Sequence, residues 1–291
     1  MTHDLSATIV IPTCNRVDLL SRCLDAVAVA LSGSPFEFVE VIVSDDSTGD
    51  GSARLIQTRY PWARWVEGPR RGPAANRNAG AANSRGEWLI FTDDDCIPSP
   101  GWLTEFADAI RHNPPCSVFE GKTIADRQRQ RLDEEAPINE SGGYLWSCNM
   151  AVRRIMFDRL CGFCETFPHA CMEDVDFRLR LQAIGEEIAF VPTATICHPY
   201  RPSKGLPFVV KSGESFLKLT ARHPQLLGPF PWRTCTLNHL RRVRMLLAEA
   251  PRCRFRGFSF ALGSLYVSSY FDVLARLRAR RNGISTPPAA I

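Results

Sequence analysis

Glycine-rich phosphate loops are missing from this 291-residue chain. Neither GxxxxGK[ST] nor GxGxxG occurs, and Thr13–Asp18, just after the first apolar run, holds no glycine. A backbone phosphate cradle of either type is therefore excluded. A second CxxC pair is also missing: of 11 cysteines only Cys161 and Cys164 are so spaced, with Cys171 nearby. Without a partner pair at finger spacing, free thiols are expected rather than a structural zinc. The odd count, in a chain too long to need staples, fits reduced thiols in the cytosol. The start, MTHDLSATIVIP, has no charged segment followed by a long apolar one, so no signal peptide is expected. Acid is scarce in one part only. Residues 199–291 carry 3 Asp+Glu against 16 Lys+Arg, a net +13, while residues 1–198 carry −9. No internal repeat or low-complexity tract is present.

The hydrophobic content is 45% and the charged content 23%, as in a soluble globular protein able to bury a large core. Strand and helix patterns alternate along the first hundred residues. Ala7–Pro12, Phe38–Ser44, Ala63–Val66 and Glu87–Thr92 read as strands. Val17–Leu31, Ser52–Tyr60 and Pro73–Ser84 read as helices, the last ended by Gly86. That order predicts an α/β fold with a mostly parallel central sheet and helices on both faces. Trp102–Asn113 and Met172–Ile184 are predicted helices; Ser117–Lys122, Ile188–Val191 and Thr195–Cys197 are predicted strands. Ala125–Glu140, highly charged and weakly periodic, reads as a mobile loop.

Sites in parallel sheets lie at the carboxyl ends of the strands. The polar clusters fall there: Thr13, Asn15 and Arg16 after the first strand, Asp45–Ser47 after the second, Asp93–Asp95 after the fourth. Two short carboxylates two positions apart, Asp93 and Asp95, suit a hard divalent ion that completes its shell with substrate phosphates. A second acidic cluster, Glu173-Asp174-Val175-Asp176, opens a helix, where the dipole favours carboxylates. One of them brought to the same edge could act as a general base. His198 ends a strand and offers a neutral imidazole to Mn²⁺. Arg77 and Asn78 could contact a nucleotide or a phosphate.

The segments Ile11–Arg16, Val43–Ser47, Arg77–Gly80, Phe91–Asp95 and Glu173–Phe177 stand in the order and at the spacing of family 2 glycosyltransferases. The chain resembles that family over about residues 6–200, and Asn149-Met150-Ala151 with Gly162-Phe163 also looks like one of its stretches. The resemblance implies a GT-A (Rossmann-like) fold, inversion at the anomeric carbon and a nucleotide-diphosphate sugar donor. Carried over, Pro12, Thr13, Asn15, Arg16, Asp45, Arg77, Asn78, Asp93 and Asp94 would border the nucleotide sugar. Asp45 would meet the base, Asp95, Asp93 and His198 would hold Mn²⁺ or Mg²⁺, and Asp174, supported by Glu173, would be the general base. Asp94 is expected to matter least of the three aspartates. Ser47 stands where the family often has Gly, and Cys164 where it usually has Asp, which leaves that loop's acceptor contacts open.

The resemblance thus implies a metal-dependent hexosyltransferase with a UDP-sugar favoured, a dTDP- or GDP-sugar open, and a saccharide or lipid-linked acceptor. Cell-surface polysaccharide or glycolipid synthesis is the expected setting. A phosphatase or nucleotidylyltransferase using Asp93 and Asp95 is the alternative. The phosphatase reading would want Thr or Val where Ile97 stands; the other would want a glycine-rich loop after strand one. A nucleic-acid binder is disfavoured by the acidic cleft. Two domains are expected, a catalytic one over 1–204 and a basic, mainly helical extension over 205–291. Within the extension, 252–281 sets an apolar run between arginines, which suits a helix lying on an anionic membrane surface. The expected location is cytoplasmic, peripheral to the membrane.

Overall fold

From Ala7 to Thr13 every residue of strand β1 (Ser6–Thr13) is buried, so this strand is covered on both faces. In the computed structural model, residues 5–167, 171–227 and 232–281 are described. They divide into two compact units. The first holds the described residues up to 126, 136–166 and 173–199; the second holds 127–135, 167, 171–172 and the described residues from 200 onward.

In the first unit β1 is joined by β2 (Phe38–Asp45), β3 (Ala63–Glu67), β4 (Trp88–Thr92), β5 (Ile97–Pro98) and β6 (Val118–Ala125). A two-residue β7 (Glu134–Glu135) belongs to the second unit; β8 (Asn149–Arg153) and β9 (Ile188–His198) complete the sheet. The eight strands run in the order β3-β2-β1-β4-β8-β6-β9-β5. β1 pairs in parallel with both β2 and β4, so the strand order reverses between them. β8 runs antiparallel to β4 and β6, and β9 is parallel to β6. The mixed α/β sheet is therefore mostly parallel, as expected. β8 is the strand that local pattern did not reveal, because its sequence, NMAVR, lacks a clean period.

Helices cover both faces. α1 (Val17–Ser32) buries Leu20, Cys23, Leu24, Val27 and Ala30, a single stripe at helical spacing. Beyond α2 (Gly51–Arg59), α3 (Pro73–Ala82) lies against the opposite face. α3 approaches so closely that a Cβ on Gly80 would sit 2.5 Å from Val10 Cγ1. α4 (Trp102–His112) buries Trp102, Leu103, Phe106, Ala107 and Ile110 on the α1 side. α5 (Arg154–Arg159) and α6 (Glu173–Ala183) join α3, their Phe157 and Phe177 packing with Phe91 and Phe163. Each such buried aromatic is worth about 1.5–3 kcal/mol of apolar transfer.

The expected strands Ile188–Val191 and Thr195–Cys197 are one strand, β9. Its ladder with β6 jumps from Val191 to Thr195 while β6 advances only from Gly121 to Lys122. Pro192, which cannot donate to a ladder, lies in the skipped stretch.

The stretch Ala125–Glu140, expected to be a loop, carries fixed structure at both ends. In the first unit Asn139 pairs with Thr123. In the second unit Arg127 forks onto both Glu134 oxygens at 3.0 and 3.1 Å, and β7 pairs with β10 (Arg201–Pro202). The second unit is otherwise helical: α7 (Leu206–Arg222), α8 (Trp232–Glu249) and α9 (Phe258–Arg281). Gly213 of α7 faces the Phe271 ring, and Leu227, Ala275 and Ala279 form a small core.

Candidate active site

The switch point between β1 and β4 puts Thr13 beside the turn that follows β4. Thr13 Oγ1 donates to Asp94 Oδ2 at 2.8 Å, and Arg16 Nη1 donates to Asp94 Oδ1 at 3.1 Å. Asp94 is buried, and burial pushes its pKa up against the pull of Arg16 and Thr13. The aspartate expected to matter least is therefore the brace between the two strand ends. Its oxygens face protein groups, not the space beyond the sheet.

Asp45, at the end of β2, is buried as well. Its Oδ1 accepts from the Ser47 backbone at 2.9 Å and its Oδ2 from the Trp65 indole at 3.1 Å. Each oxygen keeps a lone pair for a base N–H. Asn15 takes the left-handed conformation, φ 56°, and its N–H reaches Ser47 Oγ at 2.7 Å. Ser47, where a glycine was expected, is thus a partner in joining the first two loops. Pro12 is buried inside β1, opposite Ser44. The tie that sequence reasoning missed is Asn76. Its amide donates to Thr13 O at 3.1 Å and Ser44 O at 2.9 Å, and accepts from Ser44 Oγ at 2.6 Å. The Asn-rich start of α3 was visible; that this Asn pointed at two strand ends was not.

Arg77 and Asn78, expected to border the nucleotide sugar, each join two segments of the chain. Asn78 clamps the loop after α5, donating to Phe163 O at 2.8 Å and accepting from Phe163 N at 2.9 Å. Arg77 bridges two acidic segments, with Nη2 at 2.6 Å from Asp93 Oδ1 and Nη1 at 3.2 Å from Glu173 Oε1. Burial opposes the Arg77 charge, but Asp93 and Glu173 outweigh it and raise its pKa. One guanidinium thus joins the turn after β4 to the first turn of α6. Burial, then the neighbouring Asp174 charge, push Glu173 up to about 7 despite Arg77. Burial also raises Asp174, again against Arg77.

His198 reaches the acidic turn through β5. Ile97 pairs antiparallel with Cys197, so the residues following Asp95 run beside the end of β9. His198 Nε2 lies 3.5 Å from Asp95 Oδ1, and Arg16 Nη1 lies 3.8 Å from Asp95 Oδ2. Burial lowers the His198 pKa, so the ring is neutral at pH 7. Its Nδ1 is 2.8 Å from the Pro199 carbonyl, which only an N–H can serve. Nε2 therefore presents its lone pair toward the Asp95 carboxylate. Two electron-pair donors facing each other in a buried site fit a cation. Ligand atoms of Asp95, Cys96 and His198 all lie within 4.8 Å of one another. Burial holds the Cys96 thiol protonated, its pKa well raised, so the carboxylate and the imidazole are the apt ligands. This donor set fits a divalent metal ion. Asp93, expected as a third ligand, has Oδ1 engaged by Arg77. The thiols first weighed for zinc stand apart from this site: Cys161 is exposed and Cys164 lies 3.0 Å from Thr166 Oγ1.

The profile described as Glycosyl transferase family 2 matches residues 8–163, more than half of the chain. Among curated proteins the chain is similar to Glycosyltransferase AglE of Haloferax volcanii, 27% identical over 210 residues that cover 67% of each chain. Among solved structures it is similar to S. aureus TarS 1-349 in complex with UDP-GlcNAc. That likeness has a TM-score of 0.59 at 17% identity, covering 96% of this chain and 92% of that one. A second similar structure is the mannosyltransferase PcManGT from Pyrobaculum calidifontis in complex with GDP-Man and Mn²⁺. It has a TM-score of 0.58 at 17% identity, covering 99% of this chain and 78% of that one. The two structural likenesses establish the GT-A fold.

Proposed function

The chain belongs to glycosyl transferase family 2, and from that premise we propose that it moves a hexosyl group, with inversion, from a nucleotide-diphosphate sugar to a hydroxyl acceptor. The observation that carries this reading is the Arg77 bridge, which brings the acidic turn and the α6 carboxylates to one place. Asp174 takes the proton of the acceptor hydroxyl as its oxygen attacks the anomeric carbon. The bond to the diphosphate breaks on the opposite side, and no covalent enzyme intermediate forms. Glu173, held by Arg77, stands beside Asp174 and positions the helix start. Asp45 accepts from the base, and Arg16, half-exposed beside Asp94 and Asp95, meets the diphosphate. Asp95 and His198 would hold a divalent ion, which would supply positive charge against the departing diphosphate. A carboxylate with an imidazole favours Mn²⁺ over Mg²⁺, whose shell is usually all oxygen. The UDP-GlcNAc and GDP-Man bound by the two similar structures support a nucleotide sugar as donor. A UDP-sugar is our choice, with a dTDP- or GDP-sugar as the alternative the screen below decides.

A thermal-shift screen of UDP-, dTDP- and GDP-sugars with and without Mn²⁺ tests this reading. One donor with Mn²⁺ should raise the melting temperature of the wild type and fail to do so for Asp95→Asn. The same variant should lose Mn²⁺ binding by calorimetry. Stabilisation by no nucleotide sugar would sink the proposal, and unchanged Mn²⁺ affinity in the variant would remove Asp95 from the metal site.

We further propose that the basic extension, 205–291, rests on the anionic cytoplasmic face of a membrane. α9 is long and apolar enough to cross a bilayer, yet it buries Phe271, Ala275 and Ala279 within its own unit. α8 supports the interfacial reading better than the 252–281 segment first considered. Leu237, Leu240, Met245 and Leu247 are exposed on it, interleaved with exposed Arg241, Arg242 and Arg244. Its opposite side meets α9, where His239 Nδ1 lies 2.8 Å from Ser269 Oγ. Apolar side chains that enter the headgroup boundary, flanked by arginines worth about 1 kcal/mol each near anionic lipid, suit such a surface. The triple variant Leu237→Gln, Leu240→Gln, Leu247→Gln should stay in the supernatant when spun with phosphatidylglycerol-containing vesicles. Co-sedimentation equal to wild type would refute the α8 surface.

A further inference from the structure

The segment Ser141–Ser147 has no part in the chemistry above, yet it is held more firmly than an exposed loop needs. Glu120 of β6 is buried, and four N–H donors surround it. Asn139 Nδ2 donates to Oε2 at 2.9 Å, Tyr144 N at 3.1 Å and Leu145 N at 2.6 Å. Gly143 N donates to Oε1. A second tether comes from α6, where Arg178 donates to the Gly143 carbonyl. Between the tethers Leu145 takes φ 51°, a left-handed conformation that costs a non-glycine residue roughly 1–2 kcal/mol. Such strain persists where surrounding contacts over-determine it, and it gathers at binding sites.

The strained loop presents two aromatic rings. Tyr144 and Trp146 stack with centroids 5.4 Å apart and planes 22° from parallel. Tyr144 is 46% exposed, so nearly half of it faces solvent. Trp146 is partly buried against the core, but core packing does not explain the exposed Tyr144 ring. Its place does point to the reaction. The loop runs into Asn149, which pairs with Thr92, the residue before Asp93. Its Arg178 tether lies one helical turn beyond Asp174 on the same side of α6. Beneath the loop is a cleft of about 320 Å³ whose walls include Gly142, Gln182, Glu186 and Phe190. Gly142 belongs there for space as well as conformation: at φ 80° a Cβ would lie 2.9 Å from Phe190 Cβ.

A flat, water-facing aromatic surface beside polar side chains matches a pyranose ring, which offers an apolar C–H face and a rim of hydroxyls. We propose that the exposed Tyr144 ring, backed by Trp146, is part of the acceptor subsite and stacks on a sugar ring. The accepting hydroxyl then belongs to a saccharide, free or carried on an aglycone, and not to a bare lipid phosphate. This rests on the glycosyl-transfer reading above.

The test uses the full chain with the donor found by thermal shift, and octyl glycosides of glucose, galactose, mannose, rhamnose and N-acetylglucosamine as acceptors. Farnesyl phosphate serves as the sugar-free comparison. The wild type should transfer to at least one glycoside. Tyr144→Ala should raise that acceptor's KM by about tenfold or more, a loss of about 1.4 kcal/mol. Donor KM and slow donor hydrolysis should stay within twofold, and Tyr144→Phe should behave as wild type. An unchanged acceptor KM in Tyr144→Ala, or transfer to none of the glycosides, overturns the subsite. Failure of the wild type to turn over any donor would instead overturn the glycosyl-transfer reading, and the subsite with it.

Discussion

Replacing Asp174 by Asn should lower kcat for sugar transfer by roughly 10²–10⁴-fold, the usual contribution of a positioned general base. The substitution keeps size and shape and removes only the ability to take a proton. Asp174 is half-buried at the start of α6, and its Oδ1 accepts from the Val175 N–H at 2.8 Å. An amide oxygen can accept that bond equally well, so the fold and donor binding should survive. The wild-type pH profile supplies a second check. Burial raises the Asp174 pKa, and Glu173 is pushed up to about 7. A carboxylate with a raised pKa is protonated, and inactive as a base, at pH values where an ordinary Asp already works. kcat/KM should therefore rise with pH and level off above the range where an ordinary Asp base would. Glu173→Gln should move that acid limb to lower pH, because it removes the partner that titrates with Asp174. Transfer at wild-type rate by Asp174→Asn, or a limb that ends near pH 4, would assign the base to another group.

The second large effect is on stability. Arg77→Met should destabilise the first unit by about 3–5 kcal/mol, because it strands two carboxylates that a buried cation now neutralises. Arg77 is 5% exposed at its side chain, with Glu173 at 8% and Asp93 at 22%. The loss should depend on pH, and the sign is determined. Without Arg77 the Glu173 pKa rises further above its unfolded value, so the folded variant binds more protons than the unfolded one. Stability from a raised carboxylate is present at low pH and lost as pH rises through the folded pKa. Urea unfolding should then show a smaller cost for Arg77→Met at about pH 5.5 than at about pH 8. Equal costs at the two pH values would mean that Glu173 is not the group left uncompensated.

Local pattern was enough for β1, β2, β4, α1 and α4, because their side chains meet a face dictated by period alone. It was enough, too, to put Thr13, Asp45 and Asp93–Asp95 at strand ends. Asn76, Asn78, Arg77 and Glu120 were beyond its reach in their actual roles. Each acts on a partner 25 to 96 positions away, and nothing in the neighbouring residues says which one. The alternation along the turn pointed Asp94 away from a ligand, but could not name Thr13 and Arg16 as its partners.

By itself the sequence determined the order of strands and helices, the acidic first part, the basic second part and the family, since periodicity, composition and motif spacing are properties of the chain. Only the tertiary structure decided which residues meet. The antiparallel β8 between β4 and β6 sets Asn149 beside Thr92, and the short β5 beside β9 brings His198 to Asp95. Those pairings are set by hydrogen bonds and burial between segments distant in the chain, which no local window contains.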